Sequence, residues 1–253
     1  MSASAKTALI TGASAGFGKA IAQRLYKDGY KTILAGRRAD KLAALARDLG
    51  ERAYALTLDV TDKEAVARLP ESLPKDFSEI EVLINNAGLA LGLSPADAAD
   101  LNDWDQMIAT NITGLAHVTR ALLPAMRARN RGHIINLGSV AGVYPYPGGH
   151  VYGGTKAFVA QFTLNLKADL AGTNVRVSVI EPGLCGGTEF SEVRFHGDTT
   201  RAAAVYEGTT PLTAEDIAET ISWILSLPQH VNINRVEMMP TCQAAGGLTV
   251  KRT

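Results

Sequence analysis

The sequence predicts an α/β fold, a doubly wound parallel sheet of about seven strands with helices on both faces. Short β-like runs alternate with longer helical patterns along the whole chain, which is the order that builds such a sheet. Most of the β-like runs are continuously apolar, as are strands buried on both faces. No repeat, low-complexity tract or Pro/Gly/Ser-rich linker divides the 253 residues, so we expect one domain covering residues 1–253.

The elements follow in order from these patterns. Strands are expected at Thr7–Ile10, Lys31–Gly36, Ala53–Leu58, Val82–Asn85, His133–Leu137, Arg176–Ile180 and Arg235–Met239. The clearest helices between them are Gly16–Asp28, a helix beginning near Asp40, Trp104–Arg129 and Tyr152–Leu170. Two more helix starts carry capping-box pairs, Thr61 with Glu64 and Thr213 with Asp216. Ligands bind beyond the carboxyl ends of parallel strands, so the motifs that follow those ends are the candidates for a site.

Composition excludes several classes of protein. The 25 basic and 25 acidic residues cancel, which leaves no basic surplus for a nucleic-acid partner. No apolar run reaches the length of a membrane span, and no apolar signal segment follows the N-terminus. Cys185 and Cys242 match no disulfide framework or metal-ligand spacing. We therefore expect a soluble cytoplasmic protein with no membrane partner and no metal site.

A glycine-rich turn follows the first predicted strand and opens a helix. Its glycines permit close approach by a pyrophosphate, and the helix N-terminus offers free N–H groups and a positive dipole end. The candidate cofactor-binding residues of this turn are Gly12, Ser14, Gly16, Phe17 and Gly18. The alternative is a glycine-rich turn that binds no ligand.

The second predicted strand ends at Arg37 and Arg38, where a site for NAD usually has an acidic residue that accepts the ribose 2′-hydroxyl. A guanidinium binds a 2′-phosphate through two parallel hydrogen bonds, so the sequence predicts NADP rather than NAD. The alternative is a solvated arginine pair at the start of a helix. Further cofactor contacts are expected after the third and fourth strands, at Asp59, Val60, Asn86, Ala87 and Gly88.

Tyr152 and Lys156 lie four residues apart and so share one helix face. A nearby ammonium stabilises a phenolate and lowers its pKa, which makes the pair a candidate general acid/base. Ser139 lies shortly upstream, after the fifth predicted strand. The alternatives are an ordinary amphipathic helix pair and a loop serine that caps a turn.

Taken in order, Thr-Gly-x-x-x-Gly-x-Gly, Asn-Asn-Ala-Gly, the upstream serine, Tyr-x-x-x-Lys and Pro182-Gly183 resemble the short-chain dehydrogenase/reductase family over essentially the whole chain. The resemblance implies a single Rossmann-type domain that carries both the cofactor and the substrate sites. It implies that Tyr152 is the catalytic acid/base, that Lys156 lowers its pKa and holds the nicotinamide ribose, and that Ser139 binds the reacting oxygen. It also implies that Asn111 holds a proton-relaying water, that Pro182 and Gly183 flank the nicotinamide, and that Thr188 contacts the carboxamide or the pyrophosphate.

The segments 86–92, 187–195 and 231–234 are similar to one branch of that family, the NADP-dependent 3-hydroxy acid dehydrogenases. This branch includes serine or allo-threonine dehydrogenases and malonic semialdehyde reductases. The similarity implies hydride transfer between NADP(H) and a short 3-hydroxy acid or its semialdehyde or keto form. By family resemblance we also expect a homotetramer.

The polar segment at about residues 186–204 is a predicted substrate lid, and its Arg194 is a candidate anchor for a small acidic substrate. The alternatives for Arg194 are a solvated lid residue and an intersubunit salt bridge. An NADPH-dependent sulfoacetaldehyde reductase that forms isethionate is a second candidate function, because an arginine also binds a sulfonate. A regulator that senses NADP without turnover is a third, and the intact set of Asn111, Ser139, Tyr152 and Lys156 argues against it.

Overall fold

The computed structural model describes residues 5–246, and within them seven strands form one fully parallel sheet. The predicted α/β class is confirmed. The strands are β1 Thr7–Thr11, β2 Lys31–Gly36, β3 Ala53–Thr57, β4 Ile80–Asn85, β5 Gly132–Leu137, β6 Val175–Pro182 and β7 Arg235–Met238. Their order across the sheet is β3-β2-β1-β4-β5-β6-β7, which is the order of a doubly wound, Rossmann-type sheet.

Helices cover both faces of the sheet. They are α1 Gly16–Lys27, α2 Ala39–Leu49, α3 Lys63–Ser72, α4 Leu101–Ile108, α5 Leu115–Ala128, α6 His150–Asp169, α7 Phe190–Arg194, α8 Thr199–Ala204 and α9 Ala214–Ser226. A π-helical segment, Ala109–Gly114, joins α4 to α5. Within residues 5–246 no helix is both long and apolar enough to cross a membrane.

The core consists of two apolar layers, one on each face of the sheet. Successive side chains of a strand point to opposite faces, so neighbouring residues separate between the layers. Leu9 of β1 packs in the layer with α3 and α5, whereas Ile10 packs in the layer with α1 and α9. Leu83 and Ile84 divide in the same way on β4. Because both faces are covered, both residues of each pair are fully buried, which explains the continuously apolar strands.

The strand order reverses direction between β1 and β4, which pair directly. The loops that leave their carboxyl ends therefore diverge to opposite faces and leave a crevice, the usual position for a ligand in such sheets. The glycine-rich turn follows β1 and Asn86–Gly88 follows β4, so both predicted motifs lie at this crevice.

Two element predictions need correction. The expected single helix Trp104–Arg129 begins three residues earlier, at Leu101, and is interrupted by the π-helical segment. The capping box of Thr61 is wrong, because Asp62 is the residue whose carboxylate accepts the Ala65 N–H, at 2.8 Å. The capping box of Thr213 and Asp216 is confirmed.

Cys185 and Cys242 are both free thiols. Among the described residues, no group of three His, Cys, Asp or Glu side chains is arranged to hold a metal ion. The ends of the predicted domain, residues 1–4 and 247–253, lie outside the described part of the chain.

Candidate active site

A cleft of about 720 Å³ lies over the carboxyl ends of the strands, at the crevice between β1 and β4. Its volume is within the range of small-molecule and cofactor sites. It brings together most of the residues that the sequence singled out. The lining includes Gly12, Ser14, Gly16, Phe17, Arg37, Arg38, Asp59, Val60, Asn86, Ala87, Gly88, Ser139, Tyr152, Lys156, Pro182, Gly183, Thr188 and Arg194. Two predicted residues, Gly18 and Asn111, lie behind this surface and support it.

The glycine-rich turn is closely packed against the end of β4. A side chain on Gly18 would lie 2.6 Å from Asn86 Nδ2, and Gly12 has a φ of +68° that only glycine adopts freely. The amide of Asn86 donates to the carbonyl of Thr11 at 2.8 Å. The turn thus has a fixed shape, and Gly16 and Phe17 at the N-terminus of α1 line the cleft. These features fit the pyrophosphate of a dinucleotide.

The two arginines after β2 have different environments. Arg37 is exposed at the cleft. Arg38 is half-exposed and donates from Nε and Nη2 to the hydroxyl of Ser14, at 3.0 and 2.8 Å. It also donates from Nη1 to the Glu189 carboxylate at 2.7 Å. Positive charge is therefore concentrated at the end of the cleft where the predicted 2′-phosphate would bind.

The side chains of Tyr152 and Lys156 project from α6 into the cleft, and Ser139 faces them from the end of β5. All three are buried, with 8%, 7% and 9% of their surfaces exposed. Lys156 Nζ donates to the Leu137 carbonyl at 2.7 Å, which holds the amine on the inner side of the site. Gly142 lets the turn after β5 pack closely on α6, because a side chain there would lie 2.7 Å from the backbone of Lys156.

Burial is the largest influence on the pKa of Tyr152, and the pKa-lowering role expected for Lys156 stays a prediction. Burial raises the pKa of Tyr152 to about 12, while the charge of Arg194 and a hydrogen bond with Ser139 act in the lowering direction. Burial also lowers the pKa of Lys156 to about 8. Lys156 Nζ lies 5.9 Å from the Tyr152 ring centroid. In this environment desolvation outweighs the opposing influences of Arg194 and Ser139, and Arg194 is the larger of the two.

Asn111 lies in the π-helical segment, which directs its side chain inward. Its Oδ1 accepts the Leu89 N–H at 2.9 Å, and its Nδ2 donates to the Leu89 carbonyl at 2.8 Å and to Thr155 Oγ1 at 3.1 Å. The side-chain amide is thus engaged in holding α6 and the loop after β4. The amide fixes the neighbours of Tyr152 and Lys156 through these bonds. The water-holding role expected for Asn111 stays a prediction.

The predicted lid, residues 186–204, forms two short helices, α7 and α8, over the cleft. Arg194 is the last residue of α7. Its guanidinium lies 5.3 Å from the Tyr152 ring centroid and 4.9 Å from that of Phe190, and Nη2 is 3.5 Å from the Tyr146 hydroxyl. Arg194 is consequently a second cation, besides Lys156, that lies beside the candidate acid/base.

Sequence reasoning missed two residues that contact the predicted site. Glu189 joins the lid to Arg38, although 151 positions separate them. Gln243 accepts the Leu184 N–H at 2.6 Å and packs against Gly183, so it fixes the loop after β6. Both are single polar residues in loops, and no pattern in the sequence predicts which residues they contact.

Comparison with known proteins agrees with this geometry. The family model described as short chain dehydrogenase matches residues 6–198. The chain is 58% identical to a probable NADP-dependent dehydrogenase of Haemophilus influenzae, over 97% of this chain and 98% of the relative. It is 57% identical to the NADP-dependent 3-hydroxy acid dehydrogenase YdfG of Salmonella typhi, over 97% and 99%.

The fold is also similar to a solved structure, the closed form of serine dehydrogenase complexed with NADP+. The TM-score is 0.96 at 53% identity, and the match covers 98% of this chain and 100% of the other. A family model that covers most of the chain, a Rossmann-type sheet and these relatives define the class of protein. The chain belongs to the short-chain dehydrogenase family.

Proposed function

We propose that this protein is an NADP-dependent oxidoreductase that transfers a hydride between NADP(H) and a short 3-hydroxy acid or its semialdehyde or keto form. Serine, allo-threonine and 3-hydroxypropionate are examples of such 3-hydroxy acids. The observation that carries the proposal is the position of a buried tyrosine, lysine and serine beside one arginine, in a cleft that continues to the glycine-rich turn. The relatives named above support the cofactor and the substrate class.

The cofactor fits the residues present. In this proposal Gly12, Ser14, Gly16, Phe17 and Gly18 shape and form the pyrophosphate site. Arg37 and Arg38 hold the 2′-phosphate, and Asp59 with Val60 lies beside the adenine. The nicotinamide end is bounded by Asn86, Ala87, Gly88, Pro182, Gly183, Thr188, Tyr152 and Lys156. When bound, the nicotinamide supplies or accepts the hydride.

The chain's own residues manage the proton and the developing charge. In reduction Tyr152 donates its hydroxyl proton to the carbonyl oxygen, and Ser139 donates a hydrogen bond to the same oxygen. In oxidation Tyr152 accepts the alcohol proton. Because burial raises the pKa of Tyr152 to about 12, its neutral, proton-donating form is favoured, and nearby positive charge is needed to make the phenolate accessible. Asn111 positions the helix that carries Tyr152 and Lys156 through its bond to Thr155.

Arg194 binds the acidic group of the substrate in this proposal. A guanidinium presents parallel N–H donors that match the paired oxygens of a carboxylate. Because Arg194 lies over the Tyr152 ring, it would hold a substrate in which only a few bonds separate the hydroxyl from the carboxylate. The same argument applies to a sulfonate, but no observation favours the sulfoacetaldehyde alternative over a carboxylate substrate, and it stays a prediction.

The substrate class is tested by oxidation with NADP. Initial rates are compared for L-serine, allo-threonine and 3-hydroxypropionate, with isethionate and the uncharged 1-propanol in parallel. The proposal requires at least one hydroxy carboxylate to be oxidised with a higher kcat/KM than either comparison compound. Preference for isethionate would favour the sulfonate alternative, and preference for 1-propanol would contradict an acidic substrate.

We also propose a homotetramer, in line with the family resemblance. Ile108 of α4 and Leu164 of α6 remain 41% and 40% exposed, and subunit contacts would cover such apolar surface. Light scattering after size-exclusion chromatography measures the mass directly, against 26.8 kDa for one chain. The cytoplasmic location stays a prediction.

A further inference from the structure

A short segment after β7, residues 240–246, lies along one end of the cleft. It contributes Gln243, Ala244 and Gly246 to the lining, and Gln243 contacts the loop after β6. Gln243 is partly buried, whereas the residues on either side of it from 241 to 246 are exposed. The side chain of Gln243 is therefore the part of this segment that packs into the protein.

The side-chain amide of Gln243 has a fixed orientation. Its Oε1 accepts the Leu184 N–H at 2.6 Å. A backbone N–H only donates, so the oxygen of the amide has to face it, and the NH2 group occupies the other branch. The Gln243 N–H in turn donates to the Pro240 carbonyl at 2.9 Å, which closes a turn and keeps the residue at this position. The bond to Leu184 thus depends on an acceptor oxygen and not on the NH2 donor.

The loop after β6 depends on Gln243 at one position. The Gly183 N–H donates to the Met238 carbonyl at 2.8 Å, and the Leu184 carbonyl accepts the Leu212 N–H at 3.0 Å. The Leu184 N–H has Gln243 as its partner instead. A Cβ on Gly183 would overlap Gln243 Oε1, so these two residues are in close contact. Without Oε1 the Leu184 N–H would lose its partner, and Gly183 would lose the group that confines it.

We propose that Gln243 is a positioning residue for the nicotinamide half of NADP(H). Through its bond to Leu184 it holds Gly183, which flanks the nicotinamide in the proposed function, and the inference rests on that function. The pyrophosphate and 2′-phosphate sites of the proposed function are formed by the segments after β1 and β2, and residues 240–246 do not belong to them. Gln243 therefore acts on one end of the cofactor and leaves the other end unaffected.

The first arm of the test is binding, with Gln243→Leu as the variant because it keeps a side chain of similar size and removes the acceptor. The ligands are NADPH and adenosine 2′,5′-bisphosphate, which lacks the nicotinamide half. Calorimetry should show that Gln243→Leu binds NADPH about two- to tenfold more weakly than the wild type, the loss expected from one hydrogen bond. Its affinity for the bisphosphate should be unchanged, which also shows that the variant is folded.

Gln243→Glu is the conservative variant, since a carboxylate retains the acceptor and lacks the NH2 donor. Its added charge acts on the phosphates of both ligands, so the ratio of the two affinities is compared, and this ratio should return to the wild-type value. A ratio that falls as far in Gln243→Glu as in Gln243→Leu would overturn the proposal, because the NH2 group would then be the part that matters. Gln229→Leu makes the same change at an exposed position outside the cleft and should alter neither affinity.

The second arm follows the position of the nicotinamide itself, by the single-turnover oxidation of bound NADPH with malonic semialdehyde. Hydride transfer requires the nicotinamide in a fixed position, and a displacement of about 1 Å costs up to about 100-fold in rate. At saturating NADPH the transfer should therefore be slower in Gln243→Leu than in the wild type, and Gln243→Glu should recover the rate. An unchanged rate in Gln243→Leu would contradict the positioning role.

The two proposals fail in different ways. If the wild type binds neither NADPH nor the bisphosphate, the NADP site itself is wrong, and the role of Gln243 falls with it. If the wild type binds both and Gln243→Leu binds NADPH with unchanged affinity, the proposed function stands and only the role of Gln243 is contradicted. Equal weakening of both ligands in Gln243→Leu would also overturn that role, because the effect would then not be confined to the nicotinamide half.

Discussion

Arg194 of the lid lies over the ring of Tyr152, with its guanidinium carbon 5.3 Å from the ring centroid. The arginine is also the strongest influence that opposes the rise in the pKa of the tyrosine. One cation of the predicted lid thus faces both the candidate acid/base and the cleft beside it. This arrangement places substrate charge, lid position and proton transfer at one point of the cleft.

Arg194→Ala should lower kcat/KM for an acidic substrate by about 10- to 100-fold, since a hydrogen-bonded charge pair contributes about 1.5–3 kcal/mol. Steady-state kinetics with 3-hydroxypropionate and with uncharged 1-propanol measure the effect. The kcat/KM for the uncharged alcohol should fall much less. Arg194→Lys should retain part of the wild-type kcat/KM for the acidic substrate. An unchanged rate with the acidic substrate would exclude Arg194 as its anchor.

Replacement of Arg37 and Arg38 by alanine should raise the KM for NADP about 10- to 100-fold and change that for NAD much less, because charge-assisted contacts to the phosphate are lost. Kinetics with both cofactors test this expectation. Arg47→Ala, which removes an exposed charge from the far end of α2, is the control and should change neither constant. Equal effects on the two cofactors would show that the arginines do not select NADP.

Lys156→Met should destroy activity and yet stabilise the fold at pH 7. Burial lowers the pKa of Lys156 to about 8 from an ordinary value of 10.5, so the charged form costs free energy in the folded protein. After allowance for the lost bond to the Leu137 carbonyl, we expect a gain of about 2 kcal/mol in the free energy of unfolding.

The lowered pKa of Lys156 makes the stability of the wild type depend on pH. Between about pH 8 and 10.5 the unfolded chain binds the proton that the folded protein has lost, so wild-type stability rises with pH in that window. The advantage of Lys156→Met should therefore shrink between pH 8 and 10.5 in urea denaturation. A variant that is less stable than the wild type at pH 7 would contradict the cost of the buried ammonium.

His133 should make the protein sensitive to mild acid. It is 2% exposed on β5, its Nε2 lies 2.9 Å from Ser178 Oγ, and burial, followed by the charge of Arg176, holds its pKa well below the ordinary value. The unfolded chain therefore binds an extra proton below about pH 6.5, and the free energy of unfolding should fall by up to about 1.4 kcal/mol per pH unit. Above about pH 6.5 His133 is neutral in both states, so the free energy of unfolding no longer changes with pH through this residue.

Urea denaturation between pH 7.5 and 5.5 tests this expectation. His133→Gln should reduce the slope of stability against pH, while His230→Gln, at an exposed position, should retain the wild-type slope. The same slope in His133→Gln and in the wild type would assign the acid sensitivity to other groups.

Short-range patterns predicted most of the fold and the residues of the candidate site. The continuously apolar runs predicted the strands to within a few residues, and the four-residue spacing of Tyr152 and Lys156 placed both on one face of α6. The glycines after β1 predicted the turn because their conformational freedom and small size are local properties. These features depend on neighbours in the chain, so the sequence alone carries them.

The remainder depends on contacts between distant residues. The bond between Glu189 and Arg38 spans 151 positions and leaves no local pattern. The high pKa of Tyr152 is a result of burial, which spacing does not measure. The inward position of Asn111 depends on its bonds to Leu89 and Thr155, which are distant in the chain. The residue that caps α3 is Asp62 rather than Thr61, a choice that the spacing of Thr61 and Glu64 does not indicate.

The most direct measurement is NADPH consumption with malonic semialdehyde, with sulfoacetaldehyde in parallel and with Tyr152→Phe as the comparison. We expect faster consumption with malonic semialdehyde, and a loss of at least about 100-fold in Tyr152→Phe, since positioned proton transfer contributes on that order. Faster consumption with sulfoacetaldehyde would keep the mechanism and change the substrate class. A Tyr152→Phe protein that retains the wild-type rate would contradict the central claim, because the proton would then come from another group.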